Sequence, residues 1–393
     1  MFKAGLILLF ILTINLSAQP EKKKAMWIVR YALLDQQETE QIIHAALLLK
    51  TTDIYVQVRA SAQLLFEKEQ ELAAFSQWPA AKNFIKLRNE AALRNIKVHA
   101  WLNILNIWSS PKLPADSAHL VYKSSTSILR AWSDRHTPIK KLHKLGIEGY
   151  FLDPADARNL EHIKAIIKLL AEEYMVDGIH LDYFRYPSLQ VASSPSLRTR
   201  FILREYLDPE IIYASKAQRR NKRISTPLQM DRLYKAFLRN NLTHLLGNIR
   251  MYINGLKRKP QLSIAVKPHP AVAKAVYFQN WAQWLKDHLC DYVVTMNYAP
   301  DAETFMENLE ACSALNLKNK IILGISVYNQ GLNSVLDKIE RTRLHDFAGY
   351  SIFSYNSLKK QDMIRKLYRG LSASGAETRR SLPKGNKTMH YQD

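Results

Sequence analysis

The run Asp177-Gly-Ile-His-Leu-Asp-Tyr-Phe-Arg-Tyr-Pro187 decides how the rest of this chain is read. Along it, Ile179 and Leu181 point one way while His180 and Asp182 point the other, as alternation on a strand requires. An apolar, β-branched run that ends in a carboxylate suits a parallel strand packed against helices, with its last side chain delivered into a cleft. Tyr183 to Pro187 then adds aromatic rings and a guanidinium, groups suited to holding sugar faces and hydroxyls. A lone aspartate in such a place more often caps the following loop, so the rest of the chain has to decide.

Working outward, eight segments read as strands: Met26–Arg30, Asp53–Arg59, Lys97–Asn103, Asp177–Asp182, Gln261–Lys267, Asp291–Asn297, Lys320–Ser326 and Phe347–Ser354. Segments of helical period lie between them. Asn159–Tyr174 puts Leu160, Ile163, Ile167, Leu170 and Tyr174 on one face, and Asp231–Leu256 does the same with Tyr234, Phe237, Leu238, Leu245, Ile249 and Ile253. Several gaps between strand centres match one βα unit of about 30 residues. In the two longest gaps the helix lies immediately before the next strand, so the extra length falls on the C-terminal face, where such barrels keep their sites. The pattern predicts an α/β fold, a (β/α)8 TIM barrel over residues 25–370 with long βα loops after strands three and four.

The totals bound the rest. Residues 1–18 carry Lys3, an apolar centre and a small-residue cut at Ser17-Ala18, which reads as a secretory signal peptide, with an uncleaved anchor as the alternative. Export to the periplasm or the extracellular space follows. No further apolar run is long enough to span a membrane. Residues 19–24 read as a linker and 371–393 as a disordered polar tail. Two cysteines, Cys290 and Cys312, exclude a disulfide framework and a cysteine-rich zinc site. The net charge of +21 suggests an anionic polysaccharide or other acidic polymer as neighbour, with a plain solvated basic surface at least as good an explanation. Export and the lack of any nucleic-acid motif argue against a nucleic-acid partner.

If the barrel is right, the strand ends converge. Strand one brings Arg30, strand two Gln57 and Arg59, and strand three Trp101 and Asn103. Strand four brings His180 and Asp182, followed by Arg185 and Tyr186, and strand five brings Lys267 and His269. Strand six brings Thr295 and Asn297, then Tyr298 and Asp301. Strand seven brings Ser326 and Tyr328, and strand eight Ser354, Tyr355 and Asn356. So many polar tips at one end imply a wet, ligand-filled mouth. In the long loops, Trp108, Tyr122 and Trp132 can stack on sugars or form small cores, and the cluster Lys216, Arg219, Arg220, Lys222 and Arg223 reads as a solvated stretch.

The runs Tyr55-Val-Gln-Val-Arg59, Val98-His-Ala-Trp-Leu-Asn103, Asp177–Pro187 and Gly349-Tyr-Ser-Ile-Phe-Ser-Tyr-Asn356 resemble the glycosyl-hydrolase-like 10 family over about residues 25–368. The resemblance implies a secreted TIM barrel related to hydrolases of cell-wall glycans, those acting on peptidoglycan that lacks peptide stems. Two positions depart from the family pattern: Gln63 stands where an acidic residue is expected, and Asp153-Pro154-Ala155 where Asn-Pro-Gly is expected. The strand-four run also resembles, more weakly, the Asp-Gly-x-Asp-x-Asp-x-Glu pattern of chitinase-like barrels. There His180 replaces the middle aspartate and Phe184 the catalytic glutamate, which removes support for that substrate-assisted mechanism.

Glycoside cleavage uses a general acid and a second carboxylate. Asp182 is the candidate acid; Asp301 and Asp153 are the candidates for its partner. Arg30, Gln57, Arg59, Trp101, Asn103, His180, Arg185, Tyr186, Asn297, Tyr298, Tyr328 and Tyr355 are expected to contact the substrate. No cofactor or metal is expected. Three alternatives stay open: Asp182 as a structural acceptor for Arg30 or Arg59, a barrel that binds glycans without cleaving them, and a metal-dependent hydrolase using His99, His180 and His269. The last is weak, because no two of these histidines have the close spacing of a zinc helix.

Overall fold

Eight parallel strands close on themselves: β1 Lys23–Ile28, β2 Asp53–Ala60, β3 Lys97–Asn103, β4 Gly178–Asp182, β5 Gln261–Val266, β6 Tyr292–Met296, β7 Ile321–Ser326 and β8 Gly349–Phe353. Each pairs in parallel with the next, and β1 pairs with both β8 and β2, so the cylinder has no free edge. The computed structural model describes residues 21–65, 78–213 and 227–380. The signal segment and the basic cluster Lys216–Arg223 lie outside the described residues.

The longer helices are α1 Gln36–Leu48, α2 Trp78–Ala92, α3 Ala157–Glu172, α4 Pro195–Glu205, α5 Pro227–Gly255, α6 Ala302–Ser313, α7 Leu332–Leu344 and α8 Ile364–Arg380. Alternation along the strands builds two apolar bodies. A large one lies between strands and helices, and a small one inside the barrel holds Trp27, Tyr55, Trp101, Tyr292, Val294 and Ile322. Closure between β1 and β8 depends on Gly349, at φ +152°, where an added Cβ would lie 1.9 Å from the Lys23 carbonyl oxygen.

Two boundaries differ from expectation. β1 begins at Lys23, inside the supposed linker, because the Lys23 ammonium reaches the buried carboxylate of Asp53 at 2.5 Å. At the other end, α8 runs through Arg380, so the first part of the supposed tail is helical. Once Leu367 packs into the core, each further residue adds one backbone bond at little cost and needs no apolar period of its own.

The two insertions pack on each other. The first contains an antiparallel pair, Asn106–Trp108 with Tyr150–Phe151; the second contains α4. Trp132 lies 4.6 Å from the Tyr213 ring and 5.5 Å from Tyr234, and donates its N–H to the Leu189 carbonyl. It is the centre of a small core that joins both insertions. Trp108 is likewise occupied, edge-on to His119 and donating to the Lys112 carbonyl. The hydroxyl of Tyr122 donates to the Pro114 carbonyl, and its side chain stays exposed. Arg200 on α4 grips both oxygens of Asp153, at 2.5 and 2.7 Å, across the seam.

Candidate functional site

Asp182 ends β4 at the C-terminal rim and is 8% exposed. Its Oδ2 accepts the Trp101 indole N–H at 3.1 Å, and its Oδ1 accepts the Tyr183 backbone N–H at 2.6 Å. The second bond is made possible by Tyr183 sitting at φ +50°, a conformation that is costly for an aromatic residue. Burial raises the Asp182 carboxyl above its usual range, and the Tyr183 N–H, Arg185, Trp101 and Lys267 pull it back only in part.

Two cations act on it, Arg185 and Lys267, and Arg185 in turn holds a second carboxylate, Glu148. Arg185, 4% exposed, donates to Glu148 at 2.5 Å and lies over the rings of Tyr277, Tyr183 and Phe151 at 5.2 to 5.5 Å. Its Nε is buried with no partner. Lys267 follows β5, half-buried, with its ammonium 4.7 Å from the Tyr277 ring centroid. Burial and then the neighbouring Arg185 lower the Lys267 pKa, while Glu148 and Asp182 raise it. The Tyr183 hydroxyl is pushed up by burial, then by the charges of Asp182 and Glu148. Both groups therefore feel both carboxylates.

Aromatic rings form the opposite wall. Tyr298 stacks on Phe353 with centroids 5.1 Å apart, and Tyr328, 50% exposed, stands edge-on to both. Phe353 in turn reaches Trp101 at 6.2 Å. Burial, and then the charge of Asp182, raise the pKa of the Tyr298 hydroxyl. Gln57 pairs with Trp101 and Asn103 pairs with Asp182 in register, so both lie along this side. The Oδ1 of Asn103 is buried without a partner.

Several residues expected at the mouth are elsewhere. The β2–β3 register shifts between Gln57 and Arg59, so Arg59 pairs with Leu102 and turns to the helix layer. There it is fully buried, donating to the carbonyls of Asn103 and Ile104 and to Asn159. On β6 the even residues face inward, so Asn297 points outward. It donates to the Phe305 carbonyl and accepts from Asn308. Tyr355 hydrogen-bonds Glu38 at 2.6 Å in the helix layer, and Tyr186 is fully buried against Phe278 and Asn241. Arg30, by contrast, stays at the C-terminal ends of the strands, in a 3-10 turn past β1, donating to the Ala60 carbonyl at the end of β2 and lying over the Tyr31 ring. His180 faces the barrel interior below the rim, fully buried.

The candidates for the second carboxylate are also occupied. Asp301 caps α6, accepting the Thr304 N–H, which lowers its pKa on an exposed loop. Asp153 is buried beneath Arg200, and burial raises its pKa. Neither is brought to Asp182. Asp182 does not anchor Arg30 or Arg59. Glu148 escaped the sequence reading; the only local sign was an acidic residue bracketed by Gly146 and Gly149 in a long loop. His99 is bonded to Asp53 and Tyr292, and His180 to Ser263. Among the described residues no three His, Cys, Asp or Glu side chains gather as metal ligands, and no helix is long and apolar enough to cross a membrane.

A closed (β/α)8 barrel with a buried carboxylate, a second one nearby and aromatic rings at its C-terminal mouth defines a glycoside-hydrolase-like TIM barrel. The chain belongs to the Glycosyl hydrolase-like 10 family, whose model matches residues 22–340. No curated protein sequence matches it. Among solved structures it is similar to the catalytic domain of β-amylase from Paenibacillus polymyxa, at 12% identity over 86% of this chain and 93% of that one, with a TM-score of 0.50. An α-galactosidase from Lactobacillus brevis matches at 10% identity over 92% of this chain and 41% of that one, TM-score 0.51. A chitinase from Bacteroides thetaiotaomicron matches at 13% identity over 90% and 97%, TM-score 0.48. At these identities the likeness is one of fold.

Proposed function

We propose that this protein is an exported glycoside hydrolase that cleaves an anionic glycan, with denuded peptidoglycan strands as the leading substrate. The carrying observation is Asp182, a rim carboxylate that burial keeps inclined to hold its proton and that Trp101 aims. A carboxyl with a raised pKa serves as the general acid at a glycosidic oxygen. Glu148 replaces Asp301 and Asp153 as the second carboxylate, activating water or attacking the sugar once the substrate draws Arg185 away. Arg185 and Lys267 supply the preference for an acidic sugar, since among the described residues Lys267 has no carboxylate within ion-pair distance and Arg185 has a spare buried N–H. Tyr298, Tyr328 and Phe353 offer faces to the rings of the polymer.

The test is Asp182→Asn assayed on glycan strands stripped of peptides, with a loss of about a hundredfold or more expected. Full activity in a folded variant removes Asp182 from the reaction. One observation favours a second reading, a barrel that binds without cleaving: Glu148 is already tied to Arg185. Retention of acidic glycans without new reducing ends would select it.

A further inference from the structure

The aromatic wall stands on loops. Tyr298 follows β6 and Tyr328 follows β7, and Tyr328 is half-exposed, so core packing alone does not set the direction of its ring. Both loops meet Lys338 on α7, a lysine only 1% exposed. A buried ammonium is costly unless every hydrogen finds an acceptor. Among the described residues Lys338 has no carboxylate within ion-pair distance. Its three hydrogens go instead to three neutral oxygens: the carbonyls of Ala299 and Pro300, each at 2.8 Å, and Oε1 of Gln330. The Phe305 ring centroid lies 5.3 Å from the same nitrogen.

Those three acceptors belong to two loops. Ala299 and Pro300 continue directly from Tyr298, and two successive carbonyls aimed at one ammonium leave that turn little freedom. Gln330 lies two residues beyond Tyr328. Its Oε1 accepts a second hydrogen from Ser334 at 2.8 Å, and its amide donates to the carbonyl of Ser326, the last residue of β7. Asn329 links the two loops again, donating to the Tyr298 carbonyl at 3.0 Å and accepting from the Ser326 hydroxyl at 2.6 Å. Tyr298 and Tyr328 are therefore each next in sequence to a residue of this network. An apolar side chain in the same space would avoid the desolvation cost of a buried charge, but it would hold neither loop. The three-way grip accounts for a cation kept there without a counter-charge.

We propose that Lys338 is the positioning residue of the aromatic wall. Its ammonium fastens the loop after β6 to the loop after β7. It thereby presets the gap between Tyr298 and Tyr328 around Phe353, where the ring centroids stand 5.1 to 6.5 Å apart. A platform built in advance spares a bound sugar the entropy of ordering two loops. That benefit rests on the reading of the wall as a glycan platform; the clamp itself does not. Being buried, Lys338 acts only through the loops it holds.

The experiment uses the full chain with 13C-labelled tyrosine rings, Tyr298 and Tyr328 being assigned by their loss in Tyr298→Phe and Tyr328→Phe. Lys338→Met keeps an unbranched side chain and removes all three donors. The ring signals of Tyr298 and Tyr328 should shift or broaden in it, while those of Tyr55 and Tyr292 in the barrel interior stay in place. A second arm measures, by titration calorimetry, the binding of a tetrasaccharide cut from peptide-free peptidoglycan strands. Lys338→Met should weaken it about threefold, and less than that in a Tyr328→Ala background, because the two changes act on one contact. If Lys338→Met fails to fold, Gln330→Ala, which frees the β7 loop alone, is read in the same way. Unmoved Tyr298 and Tyr328 signals in a folded variant, a shift shared by all four tyrosines, or the same loss with and without Tyr328 would each overturn the proposal. A wild-type chain that leaves the tetrasaccharide unbound overturns the glycan reading instead, and the tyrosine signals then decide the clamp alone.

Discussion

The indole N–H of Trp101 meets the carboxylate of Asp182 at 3.1 Å, from neighbouring strands and at the level where the barrel opens. This bond favours the ionised form, so removing it raises the Asp182 pKa further. A general acid works when protonated, and its activity falls as pH rises through its pKa. Trp101→Phe is expected to move the descending limb of kcat/KM to higher pH and to lower kcat about tenfold through lost aim. A pH–rate profile checks both, and an unmoved limb counts against Asp182 as the acid.

Arg185 and Lys267 should act on the charge of the substrate. Arg185→Met is expected to raise KM about tenfold for an acidic glycan and far less for the same glycan with its carboxylates amidated. In the wild type, KM for the acidic glycan should rise with salt. Equal losses on both substrates would mean that Arg185 only supports the loop that carries Glu148.

Tyr328 is half-exposed on the aromatic wall and makes no hydrogen bond through its hydroxyl among the described residues. Tyr328→Ala should weaken oligosaccharide binding about fivefold, equivalent to roughly 1 kcal/mol of ring contact, while leaving the melting temperature nearly unchanged. Titration calorimetry against scanning calorimetry separates the two effects.

Arg200→Met strands the buried carboxylate of Asp153. Breaking a buried pair from one side costs about 3–5 kcal/mol; with Arg200 34% exposed, about 2 kcal/mol is expected at neutral pH. The sign of its pH dependence is fixed. Losing the cation raises the folded-state Asp153 pKa further, so the folded state binds the extra proton between the unfolded and folded pKa values. The variant's stability should then fall as pH rises through that window and recover at low pH, where Asp153 is neutral. Urea melts at two pH values measure this.

Strand existence and order were legible because fully buried parallel strands leave long apolar runs, and the loop insertions announced the working face. Which side chains face the mouth was less legible, for a physical reason. Side-chain direction has period two, so one slipped residue reverses everything after it. The irregularity between Gln57 and Arg59 carries Arg59 to the helices, and a one-residue error of phase on β6 exchanged Asn297 for Met296. Asp182 and Trp101 survived because both lie inside unbroken strands. Glu148 was invisible because no strand carries it; only the folding of a long loop brings it to Arg185. The aspartates that sequence offered instead were claimed by a helix cap and a loop seam.

Trp27, Tyr55, His180 and Tyr292 plug the cylinder below its rim. The opening is consequently a blind cup. Under the proposed function, a long polymer would have to lie across it, presenting one linkage at a time from the side, and the two halves left after a cut would depart by the door through which the strand arrived.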